Sequence, residues 1–193
     1  MVILGVDEVG RGCWAGPLVV GAVALDNPLT GLMDSKLLTK LKRTTLAKTI
    51  EKEALACSLG WVTNSEIDEL GLTKATTLAI KRALDKIEIN FDEIIIDGNT
   101  KYLNAYNNKI IKYIIKADAL IPAVSAASIY AKVSRDNYMS NLEPSYSRYN
   151  FAMHVGYGTK DHKTQIDKFG ISDLHRISFK PIKEYLELNG KTA

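Results

Sequence analysis

Soft metal ligands are scarce in this chain, which has two cysteines and three histidines among 193 residues. Cys13 and Cys57 lack the close spacing of a metal-binding pair and are expected to be free thiols in a reducing compartment. His154, His162 and His175 are widely spaced with no cysteine beside them, which argues against zinc. No apolar run is long enough to cross a bilayer, and the first residues lead straight into a strand, without a secretory leader. The expectation is a cytoplasmic protein with no membrane contact. Internal repeats and low-complexity linkers are missing too. The formal net charge of +3 is too small to announce a polyanion partner. What remains is 46% hydrophobic and 24% charged, ordinary for a globular chain of one domain, or of one domain with a small appendage.

Strand-like runs occur at Ile3–Asp7, Leu18–Leu25, Ala56–Val62, Glu93–Asp97 and Lys112–Ile115. Helical periodicity covers Thr39–Ala54, with Leu41, Leu46, Ile50 and Ala54 on one side, and Leu72–Ile87. Asn64 or Ser65 is a candidate cap for a short helix carrying Ile67 and Leu70. After Pro122, the small residues of Ser125–Asn141 suit a tightly packed helix. This order predicts an α/β fold with a mixed five-stranded sheet flanked by helices. A soft boundary near Glu143-Pro144-Ser145 divides the chain into residues 1–144 and a small helical C-terminal appendage, 145–193. The appendage is basic and aromatic. From His154 to Lys183 it holds six Lys/Arg against three Asp, a clustered charge suited to a phosphate backbone.

The chemistry concentrates where apolar strands meet acids. Ile3-Leu4-Gly5-Val6 runs into Asp7-Glu8, followed by Gly10-Arg11-Gly12; Ile94-Ile95-Ile96 runs into Asp97-Gly98; Ile114-Ile115 runs toward Asp118. Ligands collect at strand ends in such sheets, so one shared acidic pocket is expected. Four convergent carboxylates repel unless cations compensate them, and an all-oxygen set favours Mg²⁺ or Mn²⁺. Adjacent strand residues point to opposite faces. Asp7 and Glu8 therefore share a pocket only if the strand ends or twists between them; otherwise Asp7 alone is inside. The glycines let the backbone approach a ligand, and Tyr157 sits between Gly156 and Gly158 with its ring free to stack on a sugar. Cys13 reads as a small gap-filling hydrophobe, not a nucleophile.

Six motifs in order carry a resemblance. They are Asp7-Glu8-Val9-Gly10-Arg11-Gly12, Asp34-Ser35-Lys36, Asp97-Gly98, Asp118 with Ser125-Ala126-Ala127-Ser128-Ile129, Gly156-Tyr157-Gly158-Thr159, and His175-Arg176-x-Ser178-Phe179-x-Pro181. Together they resemble ribonuclease HII across nearly the whole chain. The resemblance implies a ribonuclease H-like fold, with Asp7, Glu8, Asp97 and Asp118 as catalytic and metal-binding acids working with two Mg²⁺ or Mn²⁺ ions. It implies an endonuclease that cuts the RNA strand of RNA–DNA hybrids and incises at ribonucleotides embedded in duplex DNA, leaving 3′-hydroxyl and 5′-phosphate ends. Gly10, Arg11, Gly12 and Tyr157 would sense the ribose, and Lys36 would lie near substrate phosphates. No sliding-clamp motif is visible at the C-terminus, so a monomer without an obligate protein partner is expected. Two positions depart from the family pattern: Cys13-Trp14, and Val155 where a lysine is common.

Overall fold

The computed structural model describes residues 1–32 and 38–190. Its five strands are β1 (Ile3–Val9), β2 (Leu18–Ala24), β3 (Ala56–Val62), β4 (Glu93–Asp97) and β5 (Ile110–Ile114), ordered β3-β2-β1-β4-β5. β1, β2 and β3 pair antiparallel, whereas β1, β4 and β5 run parallel. The mixed sheet is thus the expected one. β2 is buried at every position, and β4 buries its first four residues. Both read as continuous apolar runs because helices cover both faces.

The helices are α1 (Lys40–Glu53), α2 (Asn64–Leu70), α3 (Leu72–Leu84), α4 (Ala117–Leu120), α5 (Pro122–Asn141), α6 (Phe151–His154), α7 (Lys160–Phe169) and α8 (Lys180–Leu188). The cap of α2 is Thr63, not Asn64 or Ser65. Its hydroxyl accepts the Glu66 N–H while the Glu66 carboxylate accepts the Thr63 N–H, a reciprocal box neither alternative can form. In α1 the buried residues are Ala47 and Ile50, and Leu41, in the first turn, is 78% exposed. Strand β5 begins two residues before its expected start, and Ile115 lies outside it and exposed. No helix among the described residues is long and apolar enough to cross a membrane.

Helix α5 lies directly against strand backbone. A Cβ on Gly5 would collide with the backbone of Ala123 and Val124, and one on Gly21 with the carbonyl of Ala127. On the opposite face Gly60 has the same relation to Ala79 of α3. The small side chains of α5 meet bare strand backbone, so the helix approaches without a layer of side chains between. After residue 144, the short helices wrap around the segment that follows β1. Trp14 N–H donates to the Gly156 carbonyl (2.8 Å), Arg176 N–H to the Trp14 carbonyl (2.8 Å) and Gly16 N–H to the Leu174 carbonyl (2.9 Å).

Replacing Gly5 or Gly21 with alanine forces backbone apart and should cost about 2 kcal/mol or more. For a chain of this size that lowers Tm by about 4–8 °C in a thermal melt. Gly12→Ala, with open space around it, should stay within about 0.5 kcal/mol of the parent. Equal Tm values for all three variants would refute the close-approach account.

Candidate active site

Parallel pairing of β1 with β4 stops at Val6 and Ile96. Beyond that pair the strands diverge, and a cavity of about 400 Å³ opens between them. Asp7, Glu8, Asp97 and Asp118 line it together with Gly10, Arg11, Gly12 and Tyr157. The structure therefore brings eight of the nine sequence-derived candidates into one place. Lys36, like Asp34 and Ser35 of its motif, lies outside the described residues.

Each acid arrives by a different route. β1 does not end between Asp7 and Glu8 but continues to Val9. Alternation turns Asp7 toward α5 and Glu8 toward the other face, and both reach the cavity because it opens off the end of the β1–β4 pair. Asp97 closes β4. Asp118 is not at a strand end, contrary to the sequence expectation. The chain leaves β5 at Ile114, passes Lys116 in a left-handed conformation (φ 59°), and places Asp118 on the single-turn helix α4. The Asp97 carboxylate accepts the Ala117 N–H at 2.7 Å, so one acid anchors the turn that carries the next.

Charge crowding shows in the carboxyls. Burial, then the neighbouring Glu8 and Asp97 charges, hold the Asp7 carboxyl well above the usual carboxylate range; a hydrogen bond from Ser128 offsets part of this. Burial also raises Glu8, against the pull of Arg11, whose Nη1 lies 3.6 Å from the carboxylate. Such groups are neutralised by protons or by cations. Among the described residues no three His, Cys, Asp or Glu side chains stand together as a formed metal-ion site. The fit to a hard divalent ion rests on the donor set: four carboxylates in one pocket, with no sulfur or imidazole among its lining residues.

The glycine turn is braced from beneath by two buried arginines. Arg135 donates to the carbonyls of Pro17 (2.8 Å), Ala15 (3.1 Å) and Val155 (2.7 Å). Arg176 donates to Arg11 (3.0 Å) and twice to Gly16 (3.0 and 2.8 Å). Gly10 takes φ +83°, with the Arg135 side chain directly below, where a Cβ would collide. The Arg11 guanidinium is itself engaged by the Tyr102 hydroxyl and by Glu8. Arg176 was counted by charge with the basic surface, but it is fully buried; burial lowers its pKa to about 10, and it remains a cation at neutral pH.

Tyr157 is 37% exposed at the cavity mouth. Lys132 Nζ lies 5.5 Å and Arg135 Cζ 5.9 Å from its ring centroid. Burial and the adjoining Cys13 thiol push its hydroxyl up to about 12. Cys13 is a buried free thiol, as its reading as filler implies. Sequence reasoning quoted Ser128 only as part of a motif, without a site role, and passed over Lys132; both also line the cavity. Their signal was a four-residue spacing of polar groups on an otherwise small-residue helix, legible once one knows which face of α5 meets Asp7.

Comparison with known proteins identifies the family. A family model described as ribonuclease HII matches residues 4–182. The ribonuclease HII of Alteromonas mediterranea is 46% identical over 188 residues, covering 96% of this chain and 97% of its own. A crystal structure of the ribonuclease H2 from Pyrococcus horikoshii superposes with a TM-score of 0.83 at 27% identity, covering 100% of both chains. That of Bst-RNase HIII in complex with Mn²⁺ gives 0.74 at 23% identity, over 97% of this chain and 70% of that one. The chain belongs to the ribonuclease HII family.

Proposed function

We propose that this chain is a metal-dependent endoribonuclease that cleaves the RNA strand of RNA–DNA hybrids and incises at single ribonucleotides in duplex DNA, leaving 3′-hydroxyl and 5′-phosphate ends. One juxtaposition carries the reading: four carboxylates share a cavity with the Gly10–Gly12 backbone and the Tyr157 ring. A pocket built only to bind duplex gains nothing from four acids beside a phosphate. A general DNA nuclease has no use for the glycine turn and the tyrosine.

Asp7, Glu8, Asp97 and Asp118 would hold Mg²⁺ or Mn²⁺, the latter being the ion named with the Bst-RNase HIII relative. The chemistry such ions supply when bound is Lewis-acid stabilisation of phosphodiester oxygens and a lowered pKa of water, two ions serving opposite sides of an in-line displacement. The chain supplies the rest. The main chain at Gly10–Gly12 approaches a ribose without side-chain obstruction and meets the 2′-hydroxyl, the group that distinguishes RNA from DNA. Tyr157 packs its ring against the sugar from the other side. Lys132 at the wall, and Lys36 by family resemblance, face phosphates. The exposed Lys160, Lys163, Lys168, Lys180 and Lys183 would hold the duplex backbone without reading sequence.

A duplex carrying one ribonucleotide, incubated with Mg²⁺ or Mn²⁺ beside an all-DNA control, tests the whole reading. Cleavage should occur at the ribonucleotide and stop when the metal is chelated; an uncut ribonucleotide strand sinks the proposal, and equal cutting of the control favours a DNA nuclease. Asp7→Asn should lower the rate by more than the roughly 100-fold that loss of an outer supporting group costs, with Tm no lower than the parent's. Tyr157→Ala removes a ring contact and a hydroxyl, each worth about 1 kcal/mol, and should raise KM for the ribonucleotide duplex about 10- to 30-fold. Unchanged KM would remove Tyr157 from the recognition surface.

A further inference from the structure

Three buried histidines behind the cavity mouth form a connected cluster. The His154 and His162 rings stack with centroids 4.3 Å apart, and Nε2 of His162 lies 3.0 Å from Nε2 of His175. Phe151 stands nearly perpendicular to both stacked rings. Each ring nitrogen has a partner, and the partners fix where each proton sits. Ser172 N–H donates to Nδ1 of His175 at 2.9 Å, so the His175 proton is on Nε2 and points at His162. His162 accepts it on Nε2, and its own Nδ1–H donates to the Tyr157 carbonyl at 2.9 Å. His154 donates Nε2–H to the Tyr149 carbonyl (2.7 Å) and accepts the Gly156 N–H on Nδ1 (3.2 Å). All six nitrogens are used, which leaves no lone pair for a metal ion.

This chain of bonds ends on the main chain of Tyr157, just past a costly stretch of backbone. Val155 has φ +44° and Gly156 +85°; a β-branched residue in the left-handed region persists only where its surroundings hold it. Arg135 holds the Val155 carbonyl, and His162 holds that of Tyr157. We infer that His162 and His175 are positioning residues for Tyr157, with His175 orienting His162 and His162 fixing the main chain that carries the ring. The inference rests on the reading of Tyr157 as a substrate contact.

The relay requires neutral rings. A second proton on His162 would oppose two N–H donors across 3.0 Å, and one on His175 would face the Ser172 N–H. Burial pulls His162 down to about 4 and His175 to about 3. The nearby acids, Asp161 and Glu143 toward His154 and Asp173 toward His175, do not outweigh it.

Two variants at one position test the assignment. His162→Asn keeps an N–H donor near the Nδ1 position, whereas His162→Leu keeps only bulk. On the single-ribonucleotide duplex, His162→Leu should raise KM about tenfold with kcat within about twofold, and His162→Asn should stay within about threefold of the parent in both. Unchanged KM in His162→Leu overturns the assignment, and so does an equal loss in both variants. If His162→Leu does not fold, nitrogen-15 spectra of the parent protein decide. They should show His162 neutral and protonated on Nδ1 at about pH 6, and an Nε2–H or doubly protonated ring refutes the relay. Tyr157→Ala separates the two levels: unchanged KM there removes the role of Tyr157, whereas raised KM there with unchanged His162→Leu removes only the inference.

Discussion

The close seating of α5 on bare strand backbone is the constraint from which the site follows. Because Gly5 and Gly21 admit Ala123, Val124 and Ala127 at backbone distance, the helix axis lies close enough for short side chains further along it to reach the sheet. Ser128 then meets Asp7, and Lys132, one turn later, reaches the cavity wall. Another turn brings Arg135 under the glycine turn. Met139 ends the row against Gly16. A helix held off by one more layer of side chains would lose these contacts in turn, first the serine and last the arginine. The glycines in β1 and β2 weaken strand propensity, and the gain is a helix that acts as a ruler along the site.

The cavity follows from where pairing stops. While β1 and β4 run parallel, Leu4, Val6, Ile94 and Ile96 are covered and apolar. Once the strands part, Asp7 and Glu8 of β1 and Asp97 of β4 are left facing the gap, and the chain beyond β5 folds back to supply Asp118 from a third element. The crowding is electrostatically unfavourable, and the raised Asp7 and Glu8 carboxyls express that cost. Under the proposed chemistry the same cost is useful, since a site that repels its own charges gains most when cations bind.

The sheet was legible because its strands are apolar runs bounded by turns. β3 and β4 fall on the expected residues, and β1 and β2 are displaced only at their C-terminal ends. The acids were legible because charge at the end of an apolar run is rare. What periodicity could not convey was three-dimensional convergence. Asp118 looked like a strand terminus because Ile114-Ile115 precede it, but a left-handed Lys116 inserts a turn there. Arg176 looked like part of a basic surface because net charge carries no depth. The wide spacing of the three histidines, read only as an argument against zinc, gave no sign that the helices between them return the chain to the same spot.

Buried arginines are expensive, since taking a guanidinium from water costs several kcal/mol even after relaxation. Arg135 and Arg176 recover this through main-chain carbonyls, with charge-assisted bonds to Arg11, Ala15, Gly16, Pro17 and Val155. Those carbonyls belong to the two loops that face each other across the cavity mouth, and Arg135 bonds to both at once. A hydrophobic pair of similar volume could fill the space, but it could not hold the carbonyls. Under the proposed function, the fold places rigid planar donors where the distance between the glycine turn and Tyr157 has to be kept. A ribose is distinguished from a deoxyribose by one oxygen, and a gap that varied by an ångström would lose that distinction. The buried cations and the histidine relay thus serve one geometric requirement from two directions.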